Sequence, residues 1–128
     1  MTPAAILVID DDSLVRWSLA QHLTRRGYRV AAAGSAAEAL ALVRAVPRPQ
    51  VVVLDLKLPD MDGLALLEVL RREAAPCPII VLSAHLTPEV TVEALAKGAT
   101  FVAEKPFQLD TLCALVQRAL EGTAPQPR

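Results

Sequence analysis

Short runs of Val, Ile, Leu and Ala alternate along this chain with longer segments of helical period, and that alternation limits the fold more than any other feature. The runs span 5–9, 28–33, 51–54, 77–82 and 100–103. After the first, Leu14, Val15, Leu19 and Leu23 recur at helical spacing, with Asp12 or Ser13 able to cap the start. Arg25 and Arg26 precede Gly27, the cations and the glycine expected where a helix ends. Ser35-Ala-Ala-Glu38 matches a capping box and opens a helix to about Val46, where Pro47 and Pro49 stop it. Further helices are read at 64–72, at 88–97 between the Thr87-Pro88-Glu89 start and Gly98, and at 109–120. Five strands alternating with five helices predict one α/β domain, a doubly wound parallel sheet covered on both faces. The runs at 5–9, 51–54 and 77–82 are continuously apolar, as strands buried on both sides must be.

With 128 residues the chain fits a single domain, expected over 1–121, with 122–128 a tail or the start of a linker to an output domain outside this sequence. Aromatic residues make up only 3 % of the chain, so the core must be built from Ala, Val, Leu and Ile. A net charge of -1 gives no electrostatic footprint for nucleic acid or an anionic membrane. Cys77 and Cys113 are isolated, which suits a reducing compartment. No apolar run approaches the ~20 residues of a membrane span, and MTPAA has no basic leader character. The expectation is a cytoplasmic domain.

The first strand stops on three consecutive aspartates, AILVIDDDS. Two carboxylates about 4 Å apart repel by ~4 kcal/mol at an effective dielectric of ~20. Nothing basic follows until Arg16. In an open parallel sheet, ligands bind beyond the carboxyl ends of the strands. There strand 1 delivers Asp10 and Asp11, strand 3 Asp55, strand 4 Ser83 and strand 5 Glu104-Lys105-Pro106. The charges of Asp10, Asp11, Asp55 and Lys105 sum to -2, which one divalent ion would cancel. Oxygen-only ligands suit Mg²⁺. A metal, a lysine, a hydroxyl and a spare carboxylate together suit phosphoryl transfer, with an aspartate as nucleophile.

VIDDD, VLDLKLPDMDG, VLSA and EKPF, in this order and spacing, resemble the receiver domain of two-component response regulators, over residues 5 to about 120. The resemblance implies a flavodoxin-like sheet in strand order 2-1-3-4-5. It implies Asp55 as phospho-acceptor, with Mg²⁺ held by Asp10, Asp11, Asp55 and the backbone carbonyl of Lys57. Ser83 would be the hydroxyl that reports phosphorylation and Lys105 the phosphate-facing cation, joined to Pro106 by a cis bond. The phosphoryl donor would be a sensor histidine kinase or a phosphotransfer protein. The face of helix 4, strand 5 and helix 5 would change on phosphorylation and could pair two copies, and no direct nucleic-acid contact is expected from this domain. Such a domain is no enzyme beyond its own phosphorylation and dephosphorylation. DDDSLVRW, with Arg16 and Trp17, leans toward the nitrogen-control transcription activators.

Plainer readings compete at several positions. Asp12 suits a helix cap, and first-turn acids favour a helix N-terminus in any protein. Trp17, His22 and both cysteines are given no role. Gly63, in the loop after Asp55, suits a backbone conformation closed to larger residues. One departure from the receiver pattern stands out. The position three before the lysine, normally Tyr or Phe, is Val102, and the aromatic is its neighbour Phe101. Successive side chains alternate across a strand, so Phe101 would face the other way unless a bulge intervenes. The expectation is a switch without an aromatic rotamer. Lys57 and His85, each two residues past a key group, would tune the lifetime of a phosphoryl group. Two other classes fit the sequence less well. A phosphatase of the haloacid-dehalogenase type needs an acid where Lys57 stands, and a flavodoxin-like cofactor binder lacks a glycine-rich phosphate loop. A pseudo-receiver that binds partners without phosphorylation remains the alternative within the family.

Overall fold

The computed structural model describes residues 3–45, 48–74 and 77–122. Ten elements alternate along the chain: β1 (Ala5–Ile9), α1 (Ser13–Arg25), β2 (Arg29–Ala33), α2 (Ala36–Arg44), β3 (Val51–Asp55), α3 (Gly63–Ala74), β4 (Ile79–Ser83), α4 (Pro88–Ala96), β5 (Phe101–Glu104) and α5 (Leu109–Gly122). The strands form one parallel sheet in the order β2-β1-β3-β4-β5. The expected end of α2 near Val46 and all of the tail beyond Gly122 lie outside the described residues.

Alternation along the buried strands splits the core into two layers. Leu7, Ile9, Val52, Leu54 and Val81 pack with Leu66, Leu67 and Leu70 of α3 and with α2. Ile6, Val8, Val53, Ile80 and Leu82 pack on the opposite face with Leu19 and Leu23 of α1 and Val116 of α5. Burying an aliphatic side chain of this size contributes about 1.5–3 kcal/mol, so the sheet is the rigid frame of the molecule.

Local chemistry sets the element ends. Asp12, rather than Ser13, caps α1, accepting hydrogen bonds from the amides of Leu14 and Val15. Ser35 caps α2, but Glu38 reaches past it to the amide of Gly34 rather than completing the usual reciprocal pair. Three expected strand starts move, β5 beginning at Phe101 instead of residue 100. Tyr28 belongs to the turn behind Gly27 (φ +94°), its amide still bonded to Leu23, so β2 starts at Arg29. β4 starts at Ile79 instead of residue 77: the Cys77 amide is bonded back to Ala74, and Pro78 has no N–H to give.

At their carboxyl ends β3, β4 and β5 each run one residue further than the apolar pattern, onto Asp55, Ser83 and Glu104. The ladder continues just beyond them, with the Leu56 amide on the Leu82 carbonyl (3.1 Å) and the Lys105 amide on the Ser83 carbonyl (2.9 Å). The polar residues at this edge are therefore held by sheet hydrogen bonds and not by free loops.

Candidate functional site

Among the described residues the buried polar or charged ones are Asp10, Asp55 and Ser83, at 1 %, 5 % and 8 % exposure. All three lie at the carboxyl edge, at the ends of β1, β3 and β4. From the end of β5, Lys105 reaches across and places Nζ 2.8 Å from Asp10 Oδ2 and 2.9 Å from Asp55 Oδ2. One ammonium thus spans two carboxylates. The other Asp10 oxygen accepts from the Asp12 amide (2.9 Å), and Asp55 Oδ1 accepts from the Lys57 amide (3.2 Å). Ser83 Oγ accepts from the His85 amide at 3.1 Å. Asp11, Asp55, Lys57, Ser83, His85 and Lys105 all line one open cavity of about 560 Å³.

Charge follows from this geometry. Burial pushes the Asp10 carboxyl above its usual range, with the Lys105 hydrogen bond opposing the shift. Burial pulls the Lys105 ammonium down, but its hydrogen bonds to Asp10 and Asp55 outweigh that and leave it above its ordinary value. Lys105 is consequently a cation throughout the physiological range.

Oxygens of Asp10, Asp11 and Asp55 lie within 4.8 Å of one another. Opposite ligands on one Mg²⁺ stand about 4.2 Å apart, and the ion favours carboxylates with open positions for water. An all-oxygen set with Asp11 exposed to solvent supplies the donors this ion prefers. These residues fit the ion.

The loop after β3 is shaped by Gly63, though not through an unusual φ, since the left-handed glycines are Gly27 and Gly98. A Cβ on Gly63 would collide with the Leu56 carbonyl, so the requirement is for space. The peptide between Lys105 and Pro106 is cis. The β4–β5 register is continuous from Ile80 opposite Phe101 to Ser83 opposite Glu104, so no bulge rotates the aromatic. Phe101 packs on the α1–α5 side with the Arg118 guanidinium 5.2 Å from its ring centroid, and Val102 packs on the other side.

Two contacts escaped the sequence reading. Asp60 accepts from the Ala36 and Ala37 amides (2.8 and 3.1 Å), tying the loop after Asp55 to the start of α2; these bonds hold its carboxyl below the usual range. Arg16 Nη1 donates to the Asp10 carbonyl at 2.7 Å. The Pro-Asp step before MDG hinted at a turn, but nothing local points at a helix 24 residues away.

A doubly wound parallel sheet with an acid cluster and a bridging lysine at its carboxyl edge defines a receiver-type α/β domain. The chain matches the family described as the response regulator receiver domain over residues 6–117, and it belongs to that family. It is 35 % identical to the DNA-binding transcriptional regulator NtrC of Proteus hauseri over 120 residues, 94 % of this chain and 25 % of that protein. Against the response regulator MprA of Mycobacterium sp. (strain KMS) the identity is 42 % over 123 residues, covering 96 % and 53 %. The chain spans about a quarter to a half of the length of these curated relatives. Among solved structures it superposes on a CheY-like receiver domain protein from Methanospirillum hungatei JF-1 with a TM-score of 0.90 at 30 % identity, covering 94 % and 96 %. The receiver domain of NtrX from Brucella abortus gives 0.85 at 36 %, covering 93 % and 99 %. No helix among the described residues is long and apolar enough to cross a membrane.

Proposed function

We propose that Asp55 accepts a phosphoryl group from the phosphohistidine of a sensor kinase or phosphotransfer protein, and that the domain changes shape in response. The observation that supports this most is the Lys105 ammonium shared between Asp10 and Asp55 at the mouth of an open cavity. The Asp55 carboxylate attacks phosphorus, the phosphorus–nitrogen bond of the donor breaks, and the imidazole leaves. Lys105 then faces a phosphoryl oxygen, and Ser83 can turn its hydroxyl toward another. Asp10, Asp11, Asp55 and the Lys57 carbonyl are the residues that would hold Mg²⁺. Bound there, the ion would neutralise charge on the transferring group, the main source of catalysis in such reactions.

Phosphorylation needs only to favour one of two shapes separated by a few kcal/mol. Val92 and Leu95 are exposed apolar residues on α4, which supports the α4–β5–α5 face as the surface that changes and pairs two copies. The NtrC relatives are DNA-binding transcriptional regulators, so this domain is read as a cytoplasmic control module acting through an output region or partner, without touching nucleic acid itself. Lys57 and His85, exposed at the cavity rim, tune the lifetime of the phosphoryl group.

Beryllofluoride, which mimics an aspartyl phosphate, tests the assignment. Titrated in the presence of Mg²⁺, it binds wild type and not Asp55→Asn, and it shifts the elution volume if the face pairs. Equal binding by both proteins overturns the role of Asp55.

A further inference from the structure

Arg16 stands outside the acid cluster yet reaches it from behind. Its Nη1 donates a 2.7 Å hydrogen bond to the Asp10 main-chain carbonyl, half of the peptide that joins Asp10 to Asp11. The Asp10 amide is bonded to the Ala33 carbonyl at 3.0 Å, and its carboxylate to the Asp12 amide and Lys105. With Arg16 in place, the amide, carbonyl and carboxylate of Asp10 are each held. A peptide unit is planar, so fixing its carbonyl also fixes the direction in which Asp11 leaves the sheet.

The guanidinium lies over Gly34, just past the end of β2. A Cβ on Gly34 would stand 2.7 Å from Arg16 Nη1 and 3.2 Å from Cζ. Gly34 is not among the left-handed glycines, so the space above it is what matters.

We propose that Arg16 is a positioning residue for the divalent-ion site, fixing the Asp10–Asp11 peptide, and that Gly34 is the seat its guanidinium requires. The inference rests on the reading of Asp10, Asp11 and Asp55 as Mg²⁺ ligands. It differs in sign from a simple charge effect. A cation beside the site repels Mg²⁺, so on charge alone neutralising Arg16 tightens binding. Positioning demands that it weaken.

Calorimetric titration of the full chain with Mg²⁺ separates the two. Arg16→Met weakens binding by roughly tenfold or more, the usual effect of losing a partner behind a metal ligand. Arg16→Lys recovers part of the loss, because an ammonium can donate to the same carbonyl. Gly34→Ala weakens binding in the same direction while keeping the positive charge. Unchanged or tighter binding by a folded Arg16→Met protein overturns the proposal. If that variant does not fold by circular dichroism, Gly34→Ala decides, and wild-type affinity there is the contrary result. Absence of Mg²⁺ uptake by wild type refutes the metal reading itself and is seen before any substitution is made.

Discussion

Lys105 Nζ lies 2.8 Å from Asp10 Oδ2, joining residues 95 positions apart in a place where Asp10 is 1 % exposed. The same ammonium serves Asp55, so it neutralises only part of the charge around it. Removing one partner from a buried ion pair leaves the other uncompensated, at a typical cost of ~3–5 kcal/mol. Lys105→Met is expected to lose about 3 kcal/mol in Mg²⁺-free urea unfolding. Mg²⁺ at about 100 times its dissociation constant adds about 2.7 kcal/mol to wild type and variant alike, so it raises both without closing the gap. A variant as stable as wild type without Mg²⁺ contradicts the reading of the pair.

Stability should also carry a pH signature of Asp10. Its carboxyl titrates above the usual range because burial penalises the charged form. Between the ordinary and the raised value the folded state binds more protons than the unfolded one, so this group's contribution falls as pH rises. Lys105 acts at the other end: its contribution is full below the ordinary lysine value and is lost as pH rises through the higher folded value. Urea unfolding of wild type and Asp10→Asn without Mg²⁺ isolates the acid. The wild type gains stability relative to the variant as pH falls from neutral into the raised range; a gap moving the other way contradicts the assignment.

Gly63 and Gly122 make a matched pair. A Cβ on Gly63 meets the Leu56 backbone next to Asp55, whereas at Gly122 nothing lies within 4 Å. Gly63→Ala should cost about 1–3 kcal/mol, the range for forcing atoms into packed structure. It should also weaken Mg²⁺ binding through the displaced loop. Gly122→Ala should lie within about 0.5 kcal/mol of wild type by thermal unfolding.

The parts of this molecule that periodicity carries were readable in advance, and the parts that depend on distant contacts were not. β1 appears at 5–9 as expected, because a fully buried strand must be apolar throughout. The convergence of Asp10, Asp55, Ser83 and Lys105 follows from strand order alone. By contrast, the start of β4 slipped by two residues because the Cys77 amide turns back to Ala74, a detail no hydropathy pattern contains. Gly63 suggests backbone freedom in the sequence, whereas its actual constraint, crowding by Leu56, exists only once the loop has folded. Arg16 and Asp60 act through side-chain bonds to backbone groups, which any residue supplies, so their targets leave no trace in composition.

Phe101 should behave as packing and not as a switch. It sits on the α1–α5 side beneath Arg118, while Val102 packs on the opposite side of the sheet. Phe101→Ala should cost about 2 kcal/mol, less than the ~3–5 kcal/mol of a fully buried phenylalanine, and leave beryllofluoride affinity unchanged. A beryllofluoride-bound structure with the ring of Phe101 packed beside Ser83 would show the opposite.

Asp55 is proposed as the phosphoryl acceptor of this acid cluster. Its most direct test is the intact mass of the chain after incubation with a small phosphodonor and Mg²⁺. Wild type is expected to gain one phosphoryl group, chelation of the Mg²⁺ to abolish the gain, and Asp55→Asn to show none. Phosphorylation of Asp55→Asn equal to that of wild type, or no gain by wild type with Mg²⁺ present, would contradict it.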